Sequence, residues 1–198
     1  NEAWSRFLGA LSAAVAALPT DRRHVRPPTE VLVAQLAQAA GLADGATLLD
    51  DAGLPNREAL VVALGSALRS VADTSEVAVL IVGLDGLTRV SDRLGDHGRQ
   101  DVMVQAAERI RGVVRAVDLV ARVEGDEFGV LLGGLSTADP VRSISHRIER
   151  AFSEPLVAVG HYVYFTAHVG AALARAGSSA TDALRRGRMA LEWQRSTR

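Results

Sequence analysis

Two runs of alternating apolar residues flank one glycine in this chain, and together they commit it to an antiparallel hairpin. Leu119, Ala121 and Val123 alternate with Val120 and Arg122, and Phe128, Val130 and Leu132 alternate with Gly129 and Leu131. Period two sends successive side chains to opposite faces, so both runs read as strands. Gly125 supplies the backbone freedom that the turn between them needs. The turn is acidic, with Glu124, Asp126 and Glu127 at its tip. Three carboxylates so close repel one another, and the tip costs stability unless a cation or a basic group lies nearby. The tip is therefore a candidate site. Taken bare, the hairpin reads as a solvated acidic turn; the flanking sequence changes that reading.

Around the hairpin the periodicities alternate between strand and helix. Residues 77–84 form an unbroken apolar run, as a buried central strand requires. A short helix is predicted over about 87–94, then a long one with Val102, Ala106, Ile110, Val113 and Val117 facing inward. Beyond the hairpin, Asp139-Pro140 caps and opens a helix bearing Val141, Ile144, Ile148 and Phe152. Residues 156–159 and 162–173 read as strands about a Gly160-His161 turn, and a last helix covers about 180–194. Ahead of all this, Leu60, Leu64, Leu68 and Val71 share one helical face. The order contains βαββαβ, so the predicted fold class is α+β with a ferredoxin-like core.

The first 45 residues read as a separate helical segment, and residues 46–198 as the folded domain. Trp4, Leu8, Leu11, Val15 and Leu18 repeat at the spacing of a coiled-coil seam. Two heptads do not hold a helix alone, so this seam packs either on its own chain or on a second copy. Residues 19–28 read as a loop, and a second helix runs from the Thr29 cap over Leu32, Leu36 and Ala40 to Gly41. A homodimer through these helices is one expectation.

With 198 residues, 48% of them hydrophobic, the chain can bury one good core. A net charge of -1 offers no global field for nucleic acid or anionic membrane, so no nucleic-acid partner is expected. Cysteine is absent, which excludes disulfides and thiolate metal sites and fits a cytoplasmic setting. No apolar run reaches the roughly 18 residues of a membrane span, and no signal peptide stands at the start. The chain begins at Asn1 and reads as a piece of something longer, so the full-length protein is free to be membrane-attached. His24, His97, His146, His161 and His168 share no metal-ligand spacing and read as structural or surface residues. Trp4 and Trp193 read as packing residues.

Arg122-Val-Glu124-Gly125-Asp126-Glu127-Phe128 closely resembles the signature of the GGDEF (diguanylate cyclase) family, with Glu124 for the first Gly. Gly53-Leu54-Pro55-Asn56-Arg57 resembles the tail of that family's opening motif; its head differs, with Ala52 for Thr and Leu49 for Asp. The family's Asp-x-Asp-x-Phe-Lys strand end and the helix after it are matched without gaps by Gly83-Leu84-Asp85-Gly86-Leu87-Thr88, Ser91-Asp92, Gly95-Asp96 and Arg99-Gln100. A one-residue insertion after Gly95 would instead place His97 and Asp101 at the motif positions, at the cost of a compensating deletion. Thr166-Ala-His168-Val-Gly170 is similar to the family's Thr-x-Ser-Ile-Gly strand. The resemblance covers about residues 48–194. It implies a palm-type nucleotidyl cyclase fold and a bacterial cyclic di-GMP signalling role. The opening motif and loop lengths look like the GGDEF half of proteins with a downstream EAL-type phosphodiesterase domain.

The departures from the family fall on its chemistry. Family members join two GTP molecules with Mg²⁺ held by the strand's first Asp and the hairpin acids. Here Asp126 and Glu127 remain as metal-ligand candidates, but the strand position is Gly83, which has no ligand atom. Asp85 shares the face but lies about 6.6 Å along the strand. At the guanine-binding positions Ser91 replaces Asn and is too short for a bidentate contact. Gln100 replaces Asp and offers one acceptor atom where a carboxylate offers two. Asp92, Glu124 and Gly125 complete the degenerate substrate site, and Arg195 in the last helix is placed to meet a phosphate. By contrast Arg115-Ala-Val-Asp118 matches the family's inhibitory product site at the family spacing, with Arg147 or Arg150 as the second basic arm. Arg can fork onto guanine O6/N7 and Asp can accept from its amine edge. The expectation is a degenerate, catalytically inactive domain that binds cyclic di-GMP or GTP and needs no cofactor to do so, with Mg²⁺ required only if the site is active. The alternatives are an active diguanylate cyclase with an unusual metal site and a nucleotide-free dimerisation module.

Overall fold

The structure, a computed structural model, describes residues 37–38, 48–71, 75–135 and 139–197. The predicted helices over 2–18 and 29–41, with the seam and the loop between them, lie outside the described residues except for Ala37 and Gln38. Those two are helical, and Ala37 is buried, in the same cluster as Leu48, Leu60 and Leu64.

Helix α1 (Arg57–Ser70) starts where Asn56 accepts a hydrogen bond from the Ala59 amide at 3.0 Å. Strand β1 (Glu76–Asp85) follows, then α2 (Leu87–Val113), β2 (Leu119–Glu124), β3 (Glu127–Leu135) and α3 (Asp139–Ala151). The chain ends with β4 (Leu156–Ala158), β5 (His161–Val163), β6 (Thr166–Ala174) and α4 (Ala180–Ser196). Four strands form one antiparallel sheet in the order β2-β3-β1-β6. This is the ferredoxin-like βαββαβ arrangement, with the β4–β5 hairpin inserted before the last strand.

Strand β1 has an unbroken apolar run because both of its faces are covered. Ala78, Leu80, Val82 and Leu84 pack on α2 and α3 through Met103, Ala106, Ile110 and Ile148. Val77, Val79 and Ile81 pack on α1 and α4 through Leu60, Leu64, Leu184 and Leu191. Helix α4 lies close to the sheet because Gly170 has no side chain. A Cβ there would stand 2.7 Å from the Leu191 Cα and against the backbone of Gly187.

Three predicted details change. The two helices after β1 form one element with a break at Gly95 (φ 66°, ψ -168°). The strand predicted over 162–173 divides into β5 and β6, because β5 pairs with β4 and the chain must then cross to β1. The turn is Val159-Gly160, both with positive φ, and it joins the paired residues Ala158 and His161. That is the geometry of a primed two-residue hairpin turn, and a β-branched residue sits awkwardly in it.

Candidate functional site

Sheet register puts Gly83 opposite Glu127 on one side and His168 on the other. The end of β1, the β2–β3 tip and the start of β6 therefore meet at one edge of the sheet. Helix α4 runs over the same edge and brings two arginines to it. The Arg195 guanidinium lies 3.1 Å from Asp85 Oδ1, 2.8 Å from Asp126 Oδ2 and 3.9 Å from Glu127 Oε1. Arg188 donates to Glu124 Oε2 at 2.7 Å and stands 3.5 Å from Glu127 Oε2. Every carboxylate at the tip thus has a basic partner, which is what a cluster of like charges on one turn requires. Arg195 was expected at a phosphate; the structure places it among acids. The contribution of Arg188 was not anticipated, although the sequence shows it in a basic cluster, Arg185-Arg-Gly-Arg188.

Burial divides these groups. The Glu127 side chain is 4% exposed, and its Oε2 has no hydrogen-bond partner among the described residues. Desolvation pushes its pKa up; Arg188 opposes this, Asp126 reinforces it and Arg195 opposes it. His168, read from sequence as structural or surface, is buried, with Nε2 3.1 Å from Asp85 Oδ2. Its Nδ1 is buried without a partner among the described residues.

A divalent metal does not fit this arrangement. Gly83 offers no ligand atom, and the space in front of it is taken. A Cβ at that position would stand 2.7 Å from Arg195 Cζ and 3.1 Å from Leu191 Cδ2. Among the described residues no group of three or more His, Asp or Glu side chains is placed to hold an ion.

Beside the acids opens a cleft of about 600 Å³, whose lining includes Asp85, Thr88, Ser91, Arg99, Asp126 and Arg195. The guanine-position residues do not converge on it as a set. Ser91 lines the cleft and Asp92 is exposed. Gln100 accepts from Arg122 Nη1 at 3.3 Å, and that nitrogen also lies 3.4 Å from Asp50 Oδ2. Asp50 in addition accepts from the Ala52 and Leu54 amides through Oδ1. It ties the opening motif to the hairpin and was missed in the sequence, where only Leu49 and Ala52 drew notice. Arg99 donates to the Gly125 carbonyl at 3.3 Å and steadies the turn.

The Arg115/Asp118 pair lies at the turn between α2 and β2. Asp118 is buried, and its Oδ2 accepts from the Arg115 amide at 2.8 Å, while its own amide donates to the Arg115 carbonyl at 3.1 Å. Arg115, Arg147 and Arg150 are exposed. Trp193 is not a packing residue: it is 69% exposed, one turn from the exposed Met189.

The family profile described as "Diguanylate cyclase, GGDEF domain" matches residues 49–198. The bifunctional diguanylate cyclase/cyclic di-GMP phosphodiesterase MucR of Pseudomonas aeruginosa is 35% identical over 147 residues, covering 73% of this chain and 21% of that protein. The diguanylate cyclase TpbB of the same species is 39% identical over 104 residues, covering 52% of this chain and 24% of that one. The chain therefore spans about a fifth to a quarter of the length of these curated relatives. A solved structure of the TpbB GGDEF domain superposes with a TM-score of 0.70 at 32% identity, over 76% of this chain and 90% of that one. The GGDEF domain of DgcB from Caulobacter crescentus, solved with c-di-GMP, shares the fold with a TM-score of 0.67 at 19% identity, over 76% and 89% of the two chains.

Proposed function

The chain belongs to the GGDEF family of diguanylate cyclase domains, and from that premise we propose that it is a regulatory, catalytically inactive member acting in cyclic di-GMP signalling. One observation carries the reading: where the family's strand presents a metal-binding carboxylate, this chain has Gly83 with the Arg195 guanidinium against it. Losing metal stabilisation of a developing charge typically costs several kcal/mol, which is orders of magnitude in rate. Asp126, Glu127 and Asp85 are remnants in this reading, and Ser91, Asp92, Gln100, Glu124 and Gly125 belong to an eroded substrate site. The ligand is cyclic di-GMP or GTP. It binds at Arg115 and Asp118, with Arg147 or Arg150 as second arm, and controls an attached or partner domain such as an EAL-type phosphodiesterase. Residues 1–45 form the dimerising helical segment and 46–198 the GGDEF domain.

A second reading has specific support. The Asp118 carboxylate is buried and closes its own turn, so the pair has a folding role independent of nucleotide. On this reading the chain is a nucleotide-free interaction module.

One set of measurements decides between them. Concentrated protein incubated with GTP and Mg²⁺ or Mn²⁺ is expected to give no multiple-turnover cyclic di-GMP, and clear turnover refutes the inactive reading. Calorimetry with cyclic di-GMP is expected to show micromolar binding, about -8 kcal/mol, abolished by Arg115→Ala. No heat from folded wild type leaves the interaction module; binding unchanged in Arg115→Ala moves the site elsewhere.

A further inference from the structure

We infer that Arg195 is a resident cation of the cleft: its guanidinium takes the place of a divalent ion among Asp85, Asp126 and Glu127, and Gly83 is the residue that admits it. The inference rests on the reading that this cleft no longer works as a metal-dependent cyclase site, and it says what replaced the metal.

Two separate segments, the end of β1 and the hairpin tip, supply the three acids, and one side chain from α4 meets all of them. The distances are 3.1, 2.8 and 3.9 Å. A guanidinium spreads its charge over a rigid plane, so it can neutralise several carboxylates at once, here with one hydrogen bond, to Asp126. His168 Nε2, at 3.1 Å, holds the other Asp85 oxygen on the side of the cluster facing β6. Arg188 neutralises the remaining faces of Glu124 and Glu127.

Steric evidence links position 83 to Arg195. Even a methyl group at 83 would fall within 2.7 Å of Cζ and would meet Nη2 more closely still. A side chain at 83 therefore requires the end of the Arg195 side chain to swing aside from its present place. With Arg195 in place a carboxylate at 83 would pair with the guanidinium, and with Gly83 in place no ligand atom is added there, so neither substitution alone rebuilds a full metal site. Removing the guanidinium leaves Asp85, Asp126 and Glu127 without their shared cation, and their mutual repulsion then favours closing on a hard divalent ion.

The test uses the whole chain, without nucleotide, titrated with Mn²⁺ by calorimetry and melted with and without Mn²⁺. Wild type and Arg195→Lys, which keeps a cation in place, are expected to bind no stoichiometric Mn²⁺ and to melt unchanged. Arg195→Ala is expected to gain at least about tenfold in Mn²⁺ affinity, and Gly83→Asp/Arg195→Ala to gain more. Adding Asp126→Asn to Arg195→Ala should remove the gain. Stoichiometric Mn²⁺ binding by wild type, as tight as in Arg195→Ala, overturns the inference. A gain that survives Asp126→Asn places the ion elsewhere and also overturns it. If Arg195→Ala is unfolded, refolding on Mn²⁺ supports the exchange of one cation for another, and failure to refold refutes it. Cyclic di-GMP binding is read separately in metal-free buffer, so its failure leaves this result standing.

Discussion

Glu127 shows how the site trades stability for position. It is buried at the hairpin tip with one carboxylate oxygen lacking a hydrogen bond. Desolvation raises its pKa above the usual 4.5, and the flanking Arg188 and Arg195 do not reverse that, with Asp126 and Glu124 adding repulsion. The folded chain then holds this proton more tightly than the unfolded one. Its contribution to stability is fully present below pH 4.5 and is lost as pH rises through the raised value. Glu127→Gln, close in shape and never charged, isolates the effect. Urea denaturation at a series of pH values is expected to show the stability difference moving in favour of the Gln variant as pH rises from below 4.5 towards neutrality. A difference that moves the other way means that the two arginines outweigh burial.

At the scale of elements, the β4–β5 hairpin carries an identifiable strain. Val159 has φ 49° and is 59% exposed, so neither packing nor backbone preference recommends a β-branched side chain there. An L-residue in the left-handed region costs roughly 1–2 kcal/mol, less for Asn, which hydrogen-bonds locally. Val159→Asn is expected to stabilise the chain by about 1 kcal/mol, measured as a higher urea midpoint at unchanged slope. An unchanged or lower midpoint would show that Val159 earns its place through a contact instead. The same hairpin is anchored from α2: Gln105 donates to the Val157 carbonyl at 2.6 Å and Asp101 accepts from the Val159 amide at 3.2 Å. This is a structural use for Asp101, which an insertion after Gly95 would have placed in the substrate motif.

For the whole molecule, the N-terminal segment and the domain meet in the core at Ala37. Ala37, 4% exposed, belongs to the buried cluster that also holds residues of α1 and α4. Cutting the chain at residue 46 removes that contact, and the truncated chain is expected to lose about 1–2 kcal/mol and melt several degrees lower. Removing only residues 1–18 is expected to turn a dimer into a monomer and to abolish any dependence of the melting temperature on protein concentration. Light scattering and thermal melts on the three lengths check both statements. The same oligomeric state and the same melting temperature for all three would deny the segment either role.

The amino-acid sequence by itself determined the elements, the acidic hairpin and the ferredoxin-like order. Those features are written in period-two and period-3.6 patterns, set by residues a few positions apart. It also marked Gly83 as a position without a ligand atom, since that is a property of one residue. What only the tertiary structure decided is which charges meet. Arg195 reaches Asp126 across 69 positions, Arg188 reaches Glu124 across 64, Arg122 reaches Asp50 across 72 and His168 reaches Asp85 across 83. None of these pairs leaves a local signature. Each depends on where α4 and β6 dock on β1, which is fixed by the close approach that Gly170 allows and by sheet register. Trp193, read from the sequence as a packing residue, is turned to solvent because the helix gives the face bearing Gly187 and Leu191 to the sheet.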